Sequence, residues 1–205
     1  MKVVAIGGEP GTGKTTMMFA LIDSLDEKFG KASIEQPVKL VPCLVWDHPG
    51  LRGPVYILGK YEEGDAFQGT DRMSMSCQPA AVEFLKQVDR SAIVLFEGDR
   101  LFNQSFLEAA AEISDCLEII ILAATDPILK ARYERRGSDQ SATFIKGRKT
   151  KIMNIKMNMS LSPLVTEVRN HGINDSIDFT VQLFKSLQKE QTNGNEQHQN
   201  DQVAA

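Results

Sequence analysis

Gly8-Glu9-Pro10-Gly11-Thr12-Gly13-Lys14-Thr15 follows the apolar run Lys2-Val3-Val4-Ala5-Ile6 and precedes Met18, Leu21, Ile22 and Leu25, spaced i, i+3, i+4, i+7. The run reads as a buried strand, and the spacing predicts a helix that opens near Lys14 and ends at Gly30. The octapeptide between them fits G-x-x-x-x-G-K-[ST], the Walker A or P-loop pattern. In that setting, backbone N–H groups and the positive end of a helix converge on one place, where a triphosphate can sit. Gly8, Glu9, Pro10, Gly11, Thr12, Gly13, Lys14 and Thr15 are therefore the expected nucleotide cradle. Lys14 is expected to neutralise the β- and γ-phosphates of ATP, and the Thr15 hydroxyl to hold Mg2+.

Further along, Val41–Trp46 and Val55–Leu58 are strand-like and separated by a turn-rich segment. A helix is expected from about Pro79 through Val82, Leu85 and Val88. Ile93-Val94-Leu95-Phe96 and Glu118-Ile119-Ile120-Ile121-Leu122 are continuous apolar runs suited to central parallel strands, and Phe106, Leu107, Ala110 and Ile113 mark a helix between them. Asp126-Pro127 reads as an N-cap and first helical residue of a helix that stops at Gly137. A last helix, capped near Asp175, carries Ile177, Val181, Phe184 and Leu187. This alternation predicts an α/β three-layer P-loop NTPase fold, a parallel sheet with helices on both faces, resembling nucleoside and nucleotide kinases with a lid. The domain is expected over 1–189. The polar, Gln/Asn-rich stretch 190–205 is expected to be a disordered tail.

At 205 residues the chain suits one well-filled core. Hydrophobic residues at 42% and charged ones at 24% are those of an ordinary soluble protein, and the net charge of −4 argues against a strongly basic nucleic-acid binder. Local charge placement still decides whether a basic groove exists. Three scattered cysteines, no apolar stretch of membrane-spanning length and no signal peptide lead to the expectation of a cytoplasmic protein with reduced thiols and no membrane partner. No Cys/His cluster has metal-ligand spacing, so any metal is expected to arrive with the nucleotide.

Glu97, after the strand ending at Phe96, is the expected supporter of Mg2+ and its waters, with Asp99 second. Lys130, Arg132, Arg135 and Arg136 lie between Asp126 and Gly137, with Arg132 and Arg136 on one helix face. Ser138–Ala142 and the basic run Lys146–Lys151 follow, and together they read as a flexible lid that closes on a transferring phosphoryl group; a solvated basic face is the alternative. Between Leu58 and Met75, Tyr61 and Phe67 could stack on a base or simply pack, while Asp71 and Arg72 could meet a ribose, phosphate or base edge. Met73 and Met75 read as filler. Asp47, ending the second apolar strand, could accept a proton from an acceptor hydroxyl or be a turn residue, and His48 competes for the same role.

The Gly8–Thr15 loop, the Gly-Lys-Tyr and Gly-Thr-Asp-Arg-Met-Ser-Met elements within Leu58–Met75 and the Lys/Arg-rich segment resemble the bacteriophage 5-hydroxymethyluracil DNA kinases, relatives of thymidylate kinases. The resemblance spans 1–189, and Gly69–Met75 is its selective element. It implies ATP-dependent phosphorylation of the hydroxymethyl group of 5-hydroxymethyl-2′-deoxyuridine within DNA. That is a step towards thymidine hypermodification, which shields phage DNA from host restriction. It also implies that Arg132, Arg135 and Arg136 stabilise developing charge and that Asp71 and Arg72 meet the acceptor. A kinase of free nucleotides, a non-kinase P-loop ATPase and a module holding nucleotide only structurally are the competing readings.

Overall fold

In a computed structural model the chain is described over residues 1–62, 64, 67–137 and 141–189, apart from the side chain of Arg136. The expected tail and Ser138–Gln140 of the expected lid lie outside the described residues. Seven strands form one sheet: β1 (Lys2–Gly8), β2 (Ser33–Val38), β3 (Val41–Trp46), β4 (Val55–Leu58), β5 (Ile93–Glu97), β6 (Cys116–Ala123) and β7 (Val165–Arg169). Their spatial order is β2-β3-β4-β5-β1-β6-β7. The helices are α1 (Lys14–Phe29), α2 (Gln78–Gln87), α3 (Gln104–Ile113), α4 (Asp126–Arg136), α5 (Ala142–Met157) and α6 (Ile173–Leu187).

Alternation of side chains along the central strands builds the three layers. Val3 and Ala5 of β1 and Val94 and Phe96 of β5 enter a core with Phe84, Leu85, Phe106, Leu107 and Ile155 from α2, α3 and α5. Val4, Ile6, Ile93 and Leu95 point the other way, into a core with Met17, Met18, Leu21 and Leu25 of α1 and Leu183 and Leu187 of α6. Both faces of β1 and β5 are thus buried, which is why those strands carry uninterrupted apolar runs.

The sheet departs from the expected all-parallel one at a single strand. β3 runs antiparallel to both β2 and β4, whereas β4, β5, β1, β6 and β7 are mutually parallel. Two strands were not foreseen. β2 is exposed along most of its length at the sheet edge, and β7 is only partly covered at the opposite edge, so neither carries a buried pattern. Lys146–Lys151, read as part of a flexible loop, is helical within α5, where Ile155 is the buried residue. Thr125, one residue before Asp126, caps α4, and α6 begins at Ile173 with Gly172 as its cap. On α6, Ile177 and Val181 are largely exposed while Thr180, Leu183 and Leu187 are buried.

Candidate active site

The Walker A segment leaves β1 at Gly8 and enters α1 at Lys14. Gly11 and Gly13 have φ of 77° and 91°, in the left-handed region that only glycine adopts without strain. No side chain caps the start of α1. Its first N–H groups are therefore unclaimed by a cap and face the crevice where the sheet order reverses around β1. Lys14 Nζ donates to the carbonyls of Gly8 (2.9 Å) and Glu9 (3.0 Å), so it folds back over its own loop.

Three side chains far away in sequence brace the loop from outside. Tyr133 donates its hydroxyl to the Pro10 carbonyl at 2.8 Å, Arg132 donates to the Gly11 carbonyl at 2.9 Å, and Asn170 donates to the Thr12 carbonyl at 2.7 Å. Successive carbonyls are thereby held by outside partners and the Thr12 N–H donates to the Glu9 carbonyl at 3.3 Å, an arrangement that suits the amides at Gly13 and the start of α1 to face an anion. Arg132 also donates to the Asn170 carbonyl (3.1 Å). Arg132 was read as a lid arginine for the transferring phosphoryl group. Here it is tied to the loop backbone, Arg135 is exposed, and the side chain of Arg136 lies outside the described residues. Asn170 and Tyr133 were not foreseen, because nothing in their sequence neighbourhoods signals a contact made across more than a hundred residues.

At the end of β5, Glu97 is 2% exposed. Thr15 Oγ1 lies 3.3 Å from Glu97 Oε1, which joins the loop threonine to the strand-end carboxylate. Burial pushes the Glu97 carboxyl up to about 7; the Lys14 ammonium lowers it and Asp71 raises it further. Among the described residues no group of three or more His, Cys, Asp or Glu side chains is gathered to hold a metal ion by itself. A hydroxyl backed by one buried carboxylate suits a magnesium ion that takes its remaining ligands from phosphates and water.

The sign of the Glu97 shift makes a test. Unfolded, the carboxyl titrates near about 4.3; folded, it holds its proton to about 7. The metal-free protein therefore loses stability as pH rises between those values, by up to about 4 kcal/mol from this group. Asp71, also raised, adds to the same trend. Denaturant titrations from pH 4.5 to 7.5 are expected to show that fall, and Glu97→Gln to remove most of it. A variant profile parallel to the parent's would mean the carboxyl is not buried as described.

Asp99 is committed to α5. Its carboxylate pairs with Arg148 (2.9 Å) and Lys151 (3.4 Å), and Lys151 also donates to the Asp99 carbonyl at 3.0 Å. Burial holds the Lys151 ammonium below its usual range, against the attraction of Asp99. Lys149 lies 3.5 Å from Glu9 and 3.3 Å from Asp126. These cations of the Lys146–Lys151 run face acids around the phosphate loop, so α5 rims a cleft bounded by Gly8, Lys14 and Asp99.

The segment after β4 closes the other side. Lys60 and Gly69 exchange backbone hydrogen bonds (3.1 and 2.8 Å), which closes the intervening loop. Thr70, fully buried, donates to the Glu97 carbonyl at 2.9 Å, and Asp71 Oδ1 accepts the Asp99 N–H at 2.7 Å. The short 3-10 turn Thr70–Arg72 is thus stapled to the end of β5. Burial and the Asp99 carboxylate raise the Asp71 carboxyl, while the Asp99 N–H and Lys14 lower it. Arg72 pairs with Glu62 at 2.9 Å. Met73 is buried, but Met75 is exposed, as is Phe67. The Tyr61 ring packs edge-on to Phe19 (5.8 Å, 88°).

Lys14, Thr15, Glu97, Asp71 and Asp99 therefore share one end of the sheet, and Asp47 does not. The antiparallel β3 ends at Trp46, opposite Val55, which pairs with Ile93 at the start of β5. At ~3.3 Å per residue, that lies on the order of 13 Å from Glu97 along the strand. Asp47 is exposed there. It cannot accept a proton beside the phosphate loop, and His48, which accepts the Gly50 N–H at 3.0 Å, belongs to the same distant turn.

No helix among the described residues is long and apolar enough to cross a membrane. No curated protein matches the chain. Among solved structures it is similar to a gluconokinase from Sinorhizobium meliloti, at 14% identity and TM-score 0.47, covering 90% of this chain and 94% of that one. A sugar kinase from a Janibacter species matches at 13% identity and TM-score 0.45, covering 90% and 95%. An uncharacterized protein from Eubacterium ventriosum matches at 12% and 0.40, covering 90% and 98%. The family model described as P-loop Nucleotide Kinase3 matches residues 1–170, and a match over that length, on a chain with this fold and phosphate loop, makes the protein a member of that kinase family.

Proposed function

We propose that the protein is an ATP-dependent kinase whose acceptor is the hydroxymethyl group of 5-hydroxymethyl-2′-deoxyuridine in DNA. The observation that carries the reading is the junction of the phosphate loop with the Gly69–Met75 element. That element, on which the resemblance to phage 5-hydroxymethyluracil DNA kinases rests, is hydrogen-bonded to the end of β5 beside Glu97. An acceptor held there would face the outer phosphate of a nucleotide held by Gly8–Thr15.

Each residue has a task in that reading. The amides of the loop and Lys14 bind the β- and γ-phosphates. Thr15, with Glu97 behind it, would hold a magnesium ion, whose charge would offset that of the phosphates. The acceptor oxygen bonds to the γ-phosphorus as the bond from phosphorus to the β,γ-bridging oxygen breaks, and ADP leaves with that electron pair. Asp71, its carboxyl raised by burial and by Asp99, accepts the proton of the acceptor hydroxyl. Arg72 orients the acceptor, and Arg148 and Lys151, lining the cleft, lie where charge develops on the transferring group. Modification of phage DNA against host restriction is the biological use in this reading.

Charge gives one specific reason to keep a free nucleotide as the second reading. Arg148, Lys149 and Lys151 of the basic Lys146–Lys151 run are paired with Asp99, Glu9 and Asp126. A duplex binder needs cations available for phosphates. Incubation with γ-labelled ATP and, in parallel, hydroxymethyluracil DNA, ordinary DNA, thymidine monophosphate and hydroxymethyl-deoxyuridine monophosphate separates the two. Label on the modified polymer alone is the expected result. Label on a monomer alone would replace the DNA acceptor with a nucleotide.

A further inference from the structure

Tyr61 follows β4 by three residues, between Lys60, which is bonded to Gly69, and Glu62, which pairs with Arg72. Its ring is fixed edge-on against Phe19 of α1. Its hydroxyl oxygen is buried and has no hydrogen-bond partner among the described residues. A buried phenol without a partner is costly, and such groups persist where a ligand completes them.

The hydroxyl lies on the Glu97 side of the candidate active site. The point where a β-carbon on Gly69 would stand is 3.0 Å from the Tyr61 oxygen and 2.7 Å from Glu97 Oε1. Gly69 has φ of 63°, so glycine is favoured there on backbone grounds as well. The Glu97 carbonyl is 2.9 Å from the same point, so a side chain there would clash, and glycine is what lets the Tyr61 oxygen lie close to the Glu97 carboxyl, next to Asp71 and Thr15. Burial, with the nearby Glu97 and Asp71 carboxylates, drives the phenol well above its usual range. It stays protonated and offers a hydrogen. The same carboxylates disfavour a second anion, so a neutral oxygen is the matching partner.

We propose that Tyr61 determines acceptor specificity, its hydroxyl donating to a neutral carbonyl or hydroxyl oxygen that stands next to the alcohol being phosphorylated. The inference rests on the kinase reading and adds to it a named acceptor contact. Tyr61 does this through its oxygen; the ring, held by Phe19, is an anchor rather than a stacking platform.

Tyr61→Phe tests it, because the ring and its contact with Phe19 remain. Binding of a hydroxymethyluracil oligonucleotide is measured with a non-hydrolysable ATP analogue and magnesium present, so that the reading does not depend on turnover. The expected result is a loss of acceptor affinity of about tenfold, with ATP affinity and half-saturating magnesium unchanged. Thermal stability is expected to hold or rise, since the variant loses only an unpartnered hydroxyl. Unchanged acceptor affinity, binding by neither protein, or a shift in magnesium requirement instead would overturn the proposal. If the affinity difference appears but the wild type transfers no label, the kinase reading fails while the Tyr61 contact stands.

Discussion

Lys14→Ala is expected to reduce phosphoryl transfer by about a thousandfold or more, on any acceptor the wild type uses. The lysine is the loop's only cation, and its Nζ already spans the carbonyls of Gly8 and Glu9 from within the cleft. Without it, the loop itself would meet the triphosphate charge with amide dipoles alone, and Arg148 and Lys151 across the cleft are already paired with Asp99. The fold should survive, because the loop is also braced by Tyr133, Arg132 and Asn170. Initial-rate assays with labelled ATP, alongside thermal melts, check both halves. Transfer within tenfold of wild type by a correctly folded variant would remove the phosphate-loop lysine from the mechanism.

Asp71→Asn is expected to lower kcat by ~100- to 10,000-fold while leaving ATP affinity near the parent value. The amide oxygen can still accept the Asp99 N–H that now reaches Asp71 Oδ1 at 2.7 Å, so the Thr70–Arg72 turn keeps its staple. What is lost is the ability to take up a proton. Calorimetric titration with ATP and single-turnover rates separate the two effects. A variant with full turnover would require another base, and Asp47 is excluded as that base by its position beyond the far end of the sheet.

The legible parts of this molecule were those written in contiguous residues. The Walker A loop is a backbone device, set by Gly8, Gly11 and Gly13 between a strand and a helix, and it folds as its letters imply. Glu97 was visible because a doubly buried strand must be apolar until it ends, and a carboxylate there stands out. Strand direction was not legible. The hairpin reverses β3, and that reversal carried Asp47 to the wrong end. α5 was hidden by its own composition: four lysines or arginines surround Gly147, and Ile155 is its buried residue, so no apolar stripe announces a helix. The arginine segment was found, but its use was not. Arg132 reaches the Gly11 carbonyl rather than open solvent, a contact set by how α4 lies against the loop. Asn170, in the turn between β7 and α6, was invisible for the same reason.

In the proposed function, the outer phosphate of ATP passes to an alcohol held beside Asp71. That transfer is tested most directly in a single turnover, with enzyme in excess over γ-labelled ATP and hydroxymethyluracil DNA present. Digestion of the DNA to nucleosides should recover the label as a phosphoester on the hydroxymethyl group, in step with ADP formation. Quantitative appearance of the label as inorganic phosphate, with none on the DNA, would contradict it.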